Sequence, residues 1–292
     1  MFKKRQIWYI INIGDFMLRI IWYVVLGIVQ GFTEPIPVSS SGHVMIINNL
    51  LKTNIDIELL AILTNFGSLI AIIFLYRKKI IVLVKDFFSC LKALFSKHKI
   101  KDKQVYNNFK YCIYLIIGTI PAGIIGLIVT KLNLFDFLDN NIKFVGVTLL
   151  ITAIFLFLIR NIKGSKDNEN ITTKDAIIIG LFQAIAVLPG ISRSGATIVG
   201  GMTRDLKRET AFDFSFLLYI PISLATGLLG FKDLLSANID TFTFVLYILA
   251  TVIAGIVTYF ATKWFKDIVK KGKLIYFVIY CAIVGTIIIL FL

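Results

Sequence analysis

The fold class predicted is an all-α polytopic membrane protein, with six transmembrane helices plus two re-entrant helix-loop-helix pairs in an inverted-topology repeat. Three observations predict it. Apolar residues make up 58% of the chain and charged residues 16%, with a mean hydropathy of +0.86. Soluble domains hold about 45–50% apolar and about 25% charged residues. Six uninterrupted apolar stretches are long enough to cross about 30 Å of hydrocarbon. Two more have the length but are broken midway by proline, glycine and serine.

In chain order, residues 1–20 form an apolar extension with Asp15 and Arg19 embedded. Met1 to Arg5 followed by an apolar run resembles a signal peptide, but no small-residue cleavage site follows, so the segment is expected to be retained. It is either a separate interfacial helix or the start of the next element. Residues 21–292 form one membrane domain, with repeat one at 21–160 and repeat two at 175–292. The first broken segment, 21–50, is interrupted at Gly31 to His43. Whole spans are expected at 58–76, 110–131 and 143–160. Segment 80–96 carries Lys85, Asp86 and Lys92 and reads as an amphipathic helix on the membrane surface. The second broken segment, 175–205, is interrupted at Pro189 to Thr197, and spans at 209–230, 241–262 and 273–292 complete the chain.

Irregular backbone at membrane depth survives only when it is buried in protein or lines a wet cavity. Each broken segment is therefore expected to dip in and return to its own side. On that assumption 22 Lys and Arg residues fall on the face of loops 77–110, 161–174, 204–208 and 263–273. The other face holds four: Lys52, Lys131, Lys143 and Lys232. Basic residues mark the cytoplasmic side, so the first face is cytoplasmic. Each half then reads as a broken pair followed by three spans. Three is odd, so the second half is upside down, which places a binding site where the broken helices meet. At an offset of 153, Gly27, Gln30, Ser39, Ser41 and Gly42 align with Gly180, Gln183, Ser192, Ser194 and Gly195.

The net charge of +14 follows from those loops and is not a nucleic-acid footprint; no basic aromatic surface lies outside the spans. Cys90, Cys112 and Cys281 form no CxxC pair, so neither a disulfide framework nor a zinc site is expected. Of the two histidines, His98 lies in a lysine-rich loop and reads as solvated.

An ionisable residue in an apolar setting implies a function and a partner. Glu34 is one, with Gln30 one turn earlier on the same face. Their oxygens suit Mg²⁺ or Ca²⁺ shared with a phosphate; the alternative is a Glu34–Arg193 ion pair without metal. Ser39, Ser40 and Ser41 precede Gly42 and His43, the pattern of a hydroxyl nucleophile beside a base. A serine N-cap is compatible with the same pattern, because a helix N-terminus also attracts anions. Arg193 offers a planar fork for phosphate. Ser192, Ser194 and Thr197 add hydroxyls, and Gly190 and Gly195 let backbone N–H groups approach it.

These motifs resemble the undecaprenyl-diphosphate phosphatase, or bacitracin-resistance, family. The likeness rests on Gln30 to Glu34, Pro37 to His43 and Pro189 to Thr197, with Phe214 to Leu218 and Pro221 in support. The resemblance implies hydrolysis of undecaprenyl diphosphate to the monophosphate and inorganic phosphate, recycling the carrier for peptidoglycan synthesis. It also implies a multi-pass protein of the bacterial plasma membrane, an outward-opening site, a divalent cation, and bacitracin resistance, the antibiotic acting on the lipid and not on the protein. By position, Ser40 and His43 belong to the catalytic centre with Glu34, Arg193 holds phosphate, and Gln30 and Glu34 serve the metal. Two departures stand out. Gln30 replaces a frequent glutamate, and Asn65 stands where a glutamine is expected. A polyprenyl flippase or transporter on the same architecture is the rival reading. The type-2 phosphatidate phosphatases also carry SGH and SR elements, but they need a histidine shortly after the SR, and none follows Arg193. A monomer and a homodimer are both open.

Overall fold

A computed structural model describes residues 2–51, 55–96, 102–132, 141–236 and 239–292. The expectations for Lys52 and His98 fall outside the described residues, as do the side chains of Asp15 and Lys232. The described residues form α1 (Phe2–Thr33), α2 (Ser40–Leu51), α3 (Ile57–Ser96), α4 (Lys103–Lys131), α5 (Ile142–Ile159), a 3-10 turn (Asn168–Asn170), α6 (Thr173–Ile185), α7 (Arg193–Thr203), α8 (Arg208–Ser236), α9 (Thr241–Lys270) and α10 (Ile275–Phe291). No strand occurs among them, and six helices are long and apolar enough to cross a membrane.

Membership of those six differs from the expectation in one place. Phe16–Thr33 qualifies, whereas α10, at 17 residues, is shorter than the span expected at 273–292. One boundary left open by the sequence is now placed, and one needs correction. The extension is continuous with the first broken segment, since α1 runs unbroken from Phe2 to Thr33. Residues 80–96 are not a separate surface helix but the second half of the 40-residue α3. Arg77, Lys78 and Lys79 are good helix formers, and no proline or glycine follows to stop the helix.

Three of the helices that flank the two breaks are short. Helices α2, α6 and α7 have 12, 13 and 11 residues, about 17–20 Å at 1.5 Å per residue, against roughly 30 Å of hydrocarbon. The second pair closes at its mouth. Buried Asp175, in the first turn of α6, pairs with Arg204 at the end of α7 (2.8 Å) and with Lys166 (3.0 Å).

The segments assigned to one face by charge do meet. Asp213 pairs with Lys266 at 2.7 Å and Lys79 at 4.0 Å, Glu209 with Lys270 at 2.8 Å, and Asp167 with Lys207 at 2.8 Å. At the other end Arg19 donates to Thr243 (2.7 Å), and the Tyr247 hydroxyl donates to the Asp56 carbonyl (3.4 Å).

The two halves pack alike. Helix α1 lies on α9 and α6 on α4. A Cβ on Gly27 would sit 2.7 Å from the Ala250 carbonyl oxygen, and one on Gly180 would sit 2.5 Å from that of Gly118. These glycines are the 153-offset pair. At both places glycine lets two backbones touch, the usual contact between membrane helices. Helices α5 and α10 pair with each other, as do α3 and α8, and both interhelical loops are buried, at 35–39 and 189–192.

Candidate active site

Each break is built as a helix N-terminus. Ser39 precedes α2, and its Oγ accepts from the Gly42 N–H (3.3 Å); Ser192 precedes α7, and its Oγ accepts from the Gly195 N–H (3.1 Å). A second hydroxyl follows each cap, Ser41 3.4 Å from Ser39 and Ser194 3.2 Å from Ser192. The same hydrogen bonds therefore recur at the 153-residue offset. The backbones differ: Ser39 is left-handed at φ +66°, while Ser192 is extended at φ −71°. A left-handed serine costs about 1–3 kcal/mol and persists only where its surroundings enforce it. The Ser192 hydroxyl also reaches the Ile36 carbonyl (3.5 Å), linking the two loops.

The loops deliver their charged residues to one point. Glu34 is almost enclosed, its side chain 7% exposed. Its Oε2 accepts from Ser40 Oγ (2.5 Å) and Gln30 Nε2 (2.8 Å), and its Oε1 faces Arg193 Nη2 (3.4 Å). Arg193 donates through Nη1 to Ser223 Oγ (2.9 Å) and lies over the Tyr219 ring (4.9 Å). Between them is a cavity of ≈ 20 Å³, lined by Glu34, Arg193, Ser194, Thr197, Ser215 and Tyr219 among others. A carboxylate holding a serine hydroxyl can accept its proton, and the guanidinium beside it can donate to a phosphoryl oxygen.

His43 is placed otherwise. It lies one turn from Ser40 on α2, but its Nδ1 meets the Ser39 carbonyl oxygen (2.8 Å) and its Nε2 the Tyr280 hydroxyl (2.6 Å). No hydrogen bond joins it to Ser40 or Arg193 among the described residues. Thr197 is also committed, donating to the Arg193 carbonyl (2.9 Å) and pairing with Ser215. Ser39 and Ser192 serve as caps, which leaves Ser40, Ser41 and Ser194 as the hydroxyls nearest to free use.

The metal expectation can be weighed on the donors. Gln30 is buried, and its Oε1 has no hydrogen-bond partner among the described residues, although its amide nitrogen serves Glu34. An orphaned buried oxygen beside a carboxylate fits a hard cation. No group of three or more His, Cys, Asp or Glu converges among the described residues, so such an ion would draw its other ligands from water or substrate.

Sequence reasoning missed Ser223, Tyr219 and Tyr280 as partners. Ser223 and Tyr219 lie four apart on α8, one helical face, and a hydroxyl pair inside an apolar span was the available signal. Asn65 now has a place: the Tyr219 hydroxyl donates to its side-chain oxygen and to its carbonyl (3.1 Å).

Comparison with known proteins bears on this geometry. The family model described as bacitracin resistance protein BacA matches residues 23–287. "Undecaprenyl-diphosphatase 2" of Bacillus thuringiensis (strain Al Hakam) is 45% identical over 277 residues, covering 94% of this chain and 98% of that one. "Undecaprenyl-diphosphatase 1" of Bacillus licheniformis is 44% identical, covering 95% and 99%. "Undecaprenyl-diphosphatase" of Oceanobacillus iheyensis is 40% identical over 282 residues, covering 96% and 100%.

Proposed function

Because the chain belongs to the bacitracin resistance protein BacA family, we propose that Glu34, Ser40 and Arg193 form its reaction centre. The protein is a multi-pass membrane phosphatase that dephosphorylates undecaprenyl diphosphate, the activity for which its relatives are named. The observation that carries the site is the meeting at Glu34 of a serine hydroxyl from one loop and a guanidinium from the other.

The cavity is far smaller than a diphosphate. The headgroup therefore replaces Glu34 as the anion on Arg193, which moves from its 3.4 Å contact onto the terminal phosphate. Ser223 and the Tyr219 ring keep the guanidinium turned toward that position. Ser40 Oγ attacks the terminal phosphorus and passes its proton to Glu34. The bond from phosphorus to the bridging oxygen breaks, undecaprenyl phosphate leaves, and water hydrolyses the phosphoserine. Arg193 and the N-termini of α2 and α7 stabilise charge on the equatorial oxygens; positioning and electrostatics supply most of the acceleration. His43, one turn from Ser40, takes the proton of the hydrolysing water; the Ser40 oxygen–phosphorus bond breaks, Glu34 returns its proton to Ser40 Oγ, and inorganic phosphate leaves.

Gln30 and Glu34 would hold Mg²⁺ or Ca²⁺, whose chemistry is to neutralise charge on the diphosphate. The two hairpins enter from opposite leaflets as an inverted repeat, and the first opens to the outer face. Supporting this are the recurring caps at offset 153, the Asp175–Arg204 closure and the gathering of basic segments at one end. The same architecture would serve a flippase, but a serine held on a carboxylate speaks for hydrolysis. Substituting Ser40 by alanine tests the nucleophile. Phosphate release is expected to be lost, with no phosphoserine trapped in the variant; turnover at the parent rate would refute the assignment.

A further inference from the structure

We propose that Tyr280 is a positioning residue that holds the ring of His43 at the mouth of the site, in the tautomer that the Ser39 carbonyl sets. The inference rests on the reaction centre proposed above. A backbone carbonyl only accepts, so the nitrogen facing the Ser39 carbonyl at 2.8 Å, Nδ1, must carry a proton. In the neutral ring Nε2 is then the bare nitrogen, and the Tyr280 hydroxyl donates to it at 2.6 Å. The two rings are stacked, 14° from parallel with centroids 5.6 Å apart, so Tyr280 also sets the plane of the imidazole. The next residue adds a second hold, with Cys281 Sγ donating to the Pro37 carbonyl (3.6 Å). Helix α10 thus grips both ends of the turn from Pro37 to His43, which carries Ser40.

The chain has two histidines, so His98→Gln leaves His43 as the sole imidazole. With ¹⁵N-histidine in the full-length protein in micelles, Nδ1 is expected to read as protonated and Nε2 as an unprotonated acceptor. Tyr280→Phe keeps the stack and removes the donor. Its Nε2 resonance should move downfield, with Nδ1 unchanged. Turnover of undecaprenyl diphosphate should fall roughly tenfold in kcat, with KM within about twofold. A proton on Nε2 in the parent, an unshifted Nε2 in Tyr280→Phe, or an unchanged kcat overturns the proposal. His43→Ala in the same assay separates the two levels: if it retains full turnover, the role of His43 itself falls. If it is inactive while Tyr280→Phe is silent, only the positioning role falls.

Discussion

Glu34 carries three contacts at once. Its two oxygens face a serine, an amide and a guanidinium. Glu34→Gln keeps the size but cannot take the Ser40 proton, and it leaves Arg193 without its anion. A loss of about 10²–10⁴ in kcat is expected from the missing base, read as phosphate release. Arg193→Lys is informative in another way. Lysine retains the charge but loses the fork that reaches Ser223 and Glu34 together, so weakened activity with intact folding is expected. For the Gln30 oxygen, a chelator should depress phosphate release, and Gln30→Ala should raise the Mg²⁺ concentration that restores it. Indifference to both would remove the cation from the account. At this scale Glu34, Ser40 and Arg193 were legible because charge and hydroxyls are conspicuous among apolar residues. The partners of His43 were not, since Tyr280 lies 237 positions away and one tyrosine in an apolar helix carries no local signal.

The elements matter through how closely they approach one another. A Cβ on Gly31, three residues before Glu34, would lie 2.4 Å from the Ala254 carbonyl oxygen. Gly31→Ala must push α1 off α9, an overpacking worth about 1–3 kcal/mol. A lowered midpoint of thermal unfolding in detergent is expected, with activity reduced because Glu34 moves with the helix. An unchanged midpoint would show that the helices are not in contact there. Gly27 and Gly180 could be paired from sequence, yet the helices they touch could not, because a lone glycine does not name its neighbour. The extent of α3 was misjudged, and the start of α1 left open, for a related reason. Hydropathy marks where lipid could surround a helix, and neither the polar stretch after Tyr76 nor the charged residues before Ile20 contain a residue that ends one.

For the whole molecule, fold class followed from composition and from spans of adequate length, signals that tertiary contacts do not override in lipid. The charge asymmetry located one end of the bundle, where Asp213, Glu209 and Asp175 collect their lysines and arginines. Orientation is open to direct test in a background lacking Cys90, Cys112 and Cys281. A single cysteine in place of exposed Lys163 should be labelled only from the cytoplasmic side. One in place of exposed Lys143 should be labelled only from outside. Reversal of the two would invert the site and deny it access to the outer leaflet.

The central claim is that two loops, from opposite halves of the chain, make one reaction centre at Glu34 and Arg193. Phosphate release from undecaprenyl diphosphate by the purified protein, compared with Arg193→Ala, tests it most directly. The parent should release phosphate, and the variant should fall by at least about 10²–10³-fold with its thermal midpoint preserved. Equal turnover by a folded Arg193→Ala protein would contradict the account.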